Sequence, residues 1–497
     1  MRESPYSWLE DDRREMEDLK TKLERTGPYT WVIPRHGGMR VPGILYVSEK
    51  LLEKALQDNA VTQVVNVAHL PGIVRYSLAM PDVHWGYGAP IGGVGAFDAE
   101  EGVIVPGFVG YDINCGVRLI RTNLQVSSIK PRLNDLLSAL FHNIPSGVGS
   151  TGRLKLKKKD LEKVVVEGAG WAVSRGFGSS SDLQNIEENG CMPGAHPEVL
   201  SQRAVERGLE QLETLGSGNH FLEIQQVVEI YDQEVARVFG LFSHQVTIMV
   251  HTGSRGFGYQ ICDDYLAQFG KATSKYQISV PDRQLACAPV KSYEGERYFA
   301  AMKCAANYAF ANRQIISHLV GETFQKTLGV SERELGLGIV YDVAHNICKL
   351  ETHQVEGKEK KLYVHRKGAT RAFPSFHPEL PQHYQSVGQP VIIPGTMGTS
   401  SYVLVGTEKA MAETWGSTCH GAGRMMSRHQ AIKATQGHCL AEELARQGVI
   451  ARAASRFGLA EEMPGAYKDV DEVVAVVEGA GLSRKVARLT PLAVMKG

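Results

Sequence analysis

Apolar positions recur at helical spacing near residues 47–58, 130–142, 160–175, 196–215, 298–328, 406–415, 422–433, 438–447 and 471–481. Each stretch predicts a helix with a buried face. Between them lie short β-branched runs that stop at glycine or polar clusters. Val246–Val250 runs into His251-Thr-Gly-Ser-Arg-Gly256, Gly338–Val343 into Ala344-His345-Asn346, and Pro390–Ile393 into Pro394-Gly-Thr-Met-Gly398. Each reads as a strand feeding a loop that can carry ligands. A charged stretch over 7–26 predicts an appended helix, so residues 1–29 read as an extension. From Thr30 to Gly497 no linker or internal repeat interrupts the pattern. Strands and helices mix without regular βαβ alternation, which predicts one large α/β or complex α+β domain.

Composition changes this picture little. Lys+Arg and Asp+Glu balance at 54 each, whereas nucleic-acid binders usually carry a basic excess, so an RNA substrate would need a local patch. Arg153–Lys159 and His365–Arg371 are the candidate patches, although a charge run is more often a solvated face. The eight cysteines form no C-x-x-C pair, which excludes a zinc ribbon or thioredoxin motif. No secretory leader and no apolar run of about 20 residues is present, so a cytoplasmic chain with reduced thiols and no membrane span is expected.

Glycine, at 52 residues, gathers in short clusters beside His, Asp and Asn, which suggests backbone turning tightly around sites. Asp112 and Cys115 sit three apart in a turn-like segment. His220 follows Gly216-Ser-Gly-Asn219 and precedes Phe221-Leu222-Glu223. His251 and His345 each follow a strand run, and His420 sits in Thr418-Cys-His-Gly-Ala-Gly-Arg424. Taken singly, such a histidine is more often structural, and Cys115 alone reads as a small buried apolar residue. Together, imidazole, carboxylate and thiolate make a donor set for one or two catalytic cations, with a thiolate able to bridge. Backbone nests in the glycine loops suit phosphate, yet neither G-x-x-x-x-G-K-[ST] nor a strand-bound G-x-G-x-x-G is present.

Several long segments resemble the RtcB family of RNA ligases in one order. They are Leu70–Ile73, Pro81–Gly88, Asp112–Arg118, Gly218–His220, His251–Gly256, Val364–Gly368, Thr370–Pro374, Cys419–Gly423 and Pro491–Gly497. The resemblance implies a single catalytic domain over 30–497 with mixed sheets around a cleft for two Mn²⁺. It implies that Cys115 bridges the ions, with Asp112 and His220 completing one site and His251 and His345 the other. His420 resembles the family's nucleophile, which takes GMP from GTP. The nucleotide residues so implied are Asn219, His220, Phe221, Leu222, Glu223, His345, Asn346, Pro394, Gly395, Thr396, Met397, Ser401, His420, Gly421, Ala422, Gly423 and Lys496. Tyr467 is a further candidate, for stacking on guanine. Without the resemblance, Glu223 reads as a strand carboxylate and Lys496 as a frayed terminal charge.

The reaction implied joins a 2′,3′-cyclic phosphate or 3′-phosphate RNA end to a 5′-hydroxyl end, on tRNA halves or broken RNA, with archease as an expected activator. Competing readings are a guanylyltransferase that caps 3′-phosphate ends without joining them, a metal-dependent phosphatase or cyclic phosphodiesterase, and a non-enzymatic RNA binder. The ligand choice itself favours Zn²⁺ over Mn²⁺, so Mn²⁺ rests on the resemblance.

Overall fold

A computed structural model describes residues 19–497. Gln245–Thr252 is buried at every position, as an apolar strand covered on both faces must be. It lies inside an eight-stranded sheet in the order Gly338–Ala344, Gly116–Gln125, Gln245–Thr252, Phe221–Ile230, Ser483–Lys496, Ser401–Gly406, Pro390–Ile393. Ile450–Ala453 adds to it, parallel to Ser483–Lys496. The second sheet has seven strands: Glu24–Arg25, Thr30–Ile33, Gly43–Tyr46, Ile73–His84, Ile91–Asp98, Lys358–Lys367 and Asn346–Val355. Among the described residues only Gly43–Tyr46 and Ile73–His84 pair in parallel there. The α/β class with mixed sheets therefore holds.

Alternation along Phe221–Ile230 sorts its side chains. Leu222 and Ile224 pack with Leu136, Leu137 and Leu140 of the helix Leu133–Asn143, while Phe221 and Val227 join Met249, Val403 and Val494 on the other side. The helix Tyr293–Leu328 runs through the interior, capped by Ser292 at its start and by left-handed Gly329 at its end. One residue, His345, links Gly338–Ala344 of the first sheet to Asn346–Val355 of the second. The crossing point of the two sheets is thus a potential ligand.

Most predicted helices occur, with instructive exceptions. In 196–215 only Gln202–Gly208 is α-helical. Glu213 turns the backbone left-handed at φ 72°, and its carboxylate accepts from the Arg153 and Leu154 amides, which ties the segment to a neighbouring loop. In 422–433 the helix starts only at Arg428, capped by Ser427. The helix Arg255–Lys275 was not expected, because Gly256, Gly258 and Gly270 mask its Phe257, Ile261, Tyr265, Phe269 spacing. For the predicted N-terminal helix, residues 7–18 lie outside the described residues. Residues 19–22 are helical, but Glu24–Arg25 form an edge strand. Among the described residues no helix is long and apolar enough to cross a membrane, and all eight cysteines are free thiols.

The two basic runs part company. Arg153, Lys155 and Lys157–Lys159 are exposed. His365–Arg371 is no surface patch: Arg366 is buried against Glu351, Arg371 against Glu188 and Glu379, and Lys367 donates to the Tyr87, Ala89 and Gly107 carbonyls. These charges hold strands and loops together and are not available to a polyanion.

Candidate functional site

Strand register brings the predicted ligands together. His251 lies opposite both Val117 and Phe221, and Ala344 lies opposite Gly116. The residues flanking these pairs, Cys115, His220 and His345, therefore meet at one end of the sheet. Asp112 and Cys115 share a turn closed by the Cys115 amide on the Asp112 carbonyl (2.9 Å), with Asn114 in the left-handed region. Gly253 is required here, since a Cβ would stand 2.5 Å from Asp112 Oδ1.

Two donor groups result, and Cys115 belongs to both. Cys115, His251 and His345 form one, and Asp112, Cys115 and His220 the other, with donor atoms within 4.8 Å in each. Cys115 Sγ lies 3.2 Å from His251 Nε2 and 3.4 Å from His220 Nε2. His251 Nε2 and His345 Nε2 are 3.3 Å apart, and His220 Nε2 is 2.8 Å from Asp112 Oδ2. Burial first, then facing imidazoles, hold His251 and His345 well below the usual histidine range, so both are neutral donors. Burial and the Asp112 carboxylate push the Cys115 thiol well up. Desolvation raises Asp112 too, but His220 and Arg255 outweigh it and hold the carboxyl at about 2. This set of lone-pair atoms, with no protein cation at its centre, fits divalent metal ions.

His420 follows the short strand Ser417–Cys419, and its ring centroid is 4.8 Å from that of His345. Asp82 Oδ2 lies 2.5 Å from His420 Nδ1 and also accepts from the His420 amide (3.0 Å). Such a carboxylate selects the tautomer with hydrogen on Nδ1 and leaves the Nε2 lone pair available. Asp82 is fixed in turn: the buried Lys468 ammonium donates to the carbonyls of Pro81 and Val83 on either side of it. Gly423 packs against the same backbone, where a Cβ would meet the Asp82 carbonyl oxygen at 2.2 Å.

A cavity of about 340 Å³ opens between His420 and the donor groups. Of the expected nucleotide residues, Asn219, Phe221, Glu223, His345, Asn346, Pro394–Met397, His420–Gly423 and Lys496 line it, and so does Tyr467. Leu222 faces the opposite side of its strand, His220 sits in the donor cluster, and Ser401 lies beneath the wall, accepting from the Gly395 amide and from Gln225. Lys496 is not frayed: it is buried in the last strand and bonds the Gly218 carbonyl. Glu223 is likewise buried, and burial pushes its carboxyl up to about 7 against the Gln225 hydrogen bond and the Lys496 charge.

Comparison with known proteins agrees with this assembly. A family model described as tRNA-splicing ligase RtcB matches residues 63–497. The chain belongs to the RtcB family. It is 56% identical to a tRNA-splicing ligase RtcB of Archaeoglobus fulgidus over 477 residues, 96% of this chain and 99% of that one. It is 54% identical to the Thermococcus kodakarensis protein of the same name, over 96% and 99%. For the Nanoarchaeum equitans protein, again of that name, the figures are 50% identity over 96% and 100%.

Within this RtcB chain, sequence reasoning gave no role to Asp82, Lys468, Arg255 or Glu462. Asp82 lay inside the resembling segment Pro81–Gly88, so the signal was present but its partner was 338 residues away. Arg255 Nη1 stands 2.8 Å from His220 Nδ1, which also faces the Leu215 carbonyl at 3.1 Å, and Glu462 ties Arg424 and Tyr467 to the cavity wall. The ring of Tyr467 carries the Arg424 guanidinium at 5.0 Å.

Proposed function

We propose that this protein is an RNA ligase of tRNA splicing that joins a 2′,3′-cyclic phosphate or 3′-phosphate end to a 5′-hydroxyl end, using GTP and a guanylylated His420. The observation that carries this reading is the Asp82-held His420 ring standing 4.8 Å from the ring of a donor-group histidine, in one cavity of nucleotide size. The fold family and its tRNA-splicing relatives support it.

His420 Nε2 attacks the α-phosphorus of GTP, the P–N bond forms and pyrophosphate leaves. Asp82 keeps the proton on Nδ1 and offsets the positive charge the ring gains, which is why a carboxylate belongs there. Where the end is a 2′,3′-cyclic phosphate, water adds to its phosphorus and the bond to O2′ breaks, O2′ taking the proton; an oxygen of the resulting 3′-phosphate then attacks the guanylyl phosphorus, and His420 leaves with its electron pair restored. The 5′-hydroxyl attacks the activated 3′-phosphate, loses its proton, and GMP departs. Glu223, when ionised, can accept from guanine N1–H and the amino group, a donor pair that adenine lacks. The Gly421–Gly423 turn offers amides to phosphate oxygens.

Asp112, Cys115 and His220 would hold one divalent ion, and Cys115, His251 and His345 a second. Such ions supply Lewis-acid charge to phosphate oxygens. Mn²⁺ is proposed on family grounds, since thiolate and imidazole favour Zn²⁺ by softness. Cys115 must lose its proton on loading, so metal uptake weakens as pH falls.

Intact-mass measurement after incubation with GTP and Mn²⁺ tests the reading. One GMP per chain is expected, mapping to His420 and absent from His420→Ala. An adduct that persists in this variant would falsify the assignment. Supplying RNA with a 3′-phosphate and a 5′-hydroxyl partner should give a longer strand. A guanylylated strand that never lengthens would make the protein an end-capping enzyme instead.

A further inference from the structure

Three tyrosines from three separate elements bring their rings together at the rim of the cavity. Tyr111 directly precedes Asp112. Tyr259 lies one turn into the helix Arg255–Lys275, beyond the arginine that contacts His220. Tyr87 follows the strand Ile73–His84, in a loop whose carbonyl is held by Lys367. The Tyr111 and Tyr259 rings stack at 4.8 Å and 24°, and Tyr87 meets Tyr111 edge-on at 5.6 Å. Tyr87 and Tyr111 line the cavity that holds His420, whereas Tyr259 is 46% exposed. The strip thus runs outward from the donor groups to solvent. The Arg207 guanidinium stands over the Tyr259 ring, 5.8 Å from its centroid.

A fully buried cluster would offer no ring face to solvent. This one leaves an aromatic surface and a cation beside it, continuous with the reacting centre. Aromatic rings flanked by arginine are how proteins hold single-stranded nucleic acid, because every base has a face to stack and every phosphate a charge to neutralise. The cavity itself, at about 340 Å³, has the size of a small-ligand pocket, so the length of a polynucleotide must extend past it across the rim.

We propose that Tyr87, Tyr111 and Tyr259, with Arg207, form a stacking platform for the bases next to the reacting end of a single-stranded RNA. The proposal rests on the ligase reading for its substrate, but its test does not depend on catalysis.

The test measures binding of a fluorescent single-stranded RNA to the full chain, together with RNA joining and guanylylation by GTP alone. Tyr259→Ala should weaken RNA binding, and raise KM for RNA, by about tenfold. Tyr259→Phe should stay within about twofold of the wild type, since the ring face is kept. The rate of GMP attachment to His420 without RNA should be unchanged in both variants. Replacing the end nucleotides with abasic residues should weaken binding to the wild type more than binding to Tyr259→Ala. Equal RNA affinity in Tyr259→Ala and the wild type overturns the platform, as does an equal abasic penalty in both. A wild type that takes up no GMP overturns the ligase reading instead, and the binding comparison still decides the platform.

Discussion

Asp342 and His345 lie three residues apart, both buried, and the networks around them follow opposite rules. Asp342 takes four hydrogen bonds from two buried guanidiniums: Arg118 Nε at 2.7 Å, Arg313 Nε at 3.1 and 2.9 Å, and Arg313 Nη2 at 2.8 Å. Burial alone would raise its pKa, but Arg313 and Arg118 outweigh it and leave the carboxylate charged. At His345 the neighbours are acceptors and neutral donors: a thiol, further imidazoles and the approaching ring of His420. His251 Nε2 stands 3.3 Å from His345 Nε2 and 3.2 Å from Cys115 Sγ, atoms that all offer lone pairs. Buried polar atoms are normally paired, so a charge that is answered belongs to the scaffold and a group of converging lone pairs belongs to a ligand. The same few residues of chain serve both purposes, because the answered network fixes the turn on which the unanswered one stands: Arg313 also bonds the Asn114 carbonyl, between Asp112 and Cys115.

Removing the shared atom of the open network should have the largest effect. Cys115→Ala takes a donor from both groups at once, so bound Mn²⁺ should fall towards zero per chain. GMP attachment and RNA joining should drop by more than about a hundredfold, the upper range for losing only an outer-sphere partner. Metal analysis checks this, and a variant that still holds two ions would end the bridging role. Asp342→Ala attacks the closed network. Two buried guanidiniums lose their carboxylate, and urea unfolding should show a loss of about 3–5 kcal/mol. Metal content per folded chain should survive, since Asp342 belongs to neither donor group. If instead Asp342→Ala loses metal without losing stability, the division between the two networks fails.

The two networks were unequally legible. Cys115, His220, His251, His345 and His420 could be singled out because chemistry and glycine neighbours mark them in sequence. Convergence could not be read from spacing: it depends on register, with His251 opposite Val117 and Phe221, and on the one-residue link between sheets at His345. The closed networks were misread for the same reason. His365–Arg371 looked like a basic patch because its carboxylates, Glu351, Glu188 and Glu379, lie elsewhere in the chain. Likewise Asp82 and Lys468 carry no local signal of being joined through Pro81 and Val83. The strands Gln245–Thr252 and Gly338–Ala344 were plain from β-branched runs, whereas Arg255–Lys275 was hidden by its glycines.

Glu223 stands between the two rules and gives the subtlest test. It is buried, it accepts from Gln225 Nε2 at 2.8 Å, and it feels the Lys496 charge, yet these do not cancel the cost of burial and its pKa rises to about 7. A carboxyl raised above its ordinary value of 4.5 contributes stability below that value and loses it as pH rises through 7. Glu223→Gln removes this dependence. The variant should match the wild type near pH 4 and exceed it at pH 8 by up to about 3 kcal/mol. Affinity for GTP should run the other way. In the wild type KM for GTP should fall as pH rises through 7, because only the ionised carboxylate accepts from guanine N1–H and the amino group. In Glu223→Gln it should be weak and flat across that range. A stabilised variant with unchanged GTP affinity would mean that the partly compensated charge serves no ligand, and that an incompletely paired carboxylate in this cavity is not by itself a mark of function.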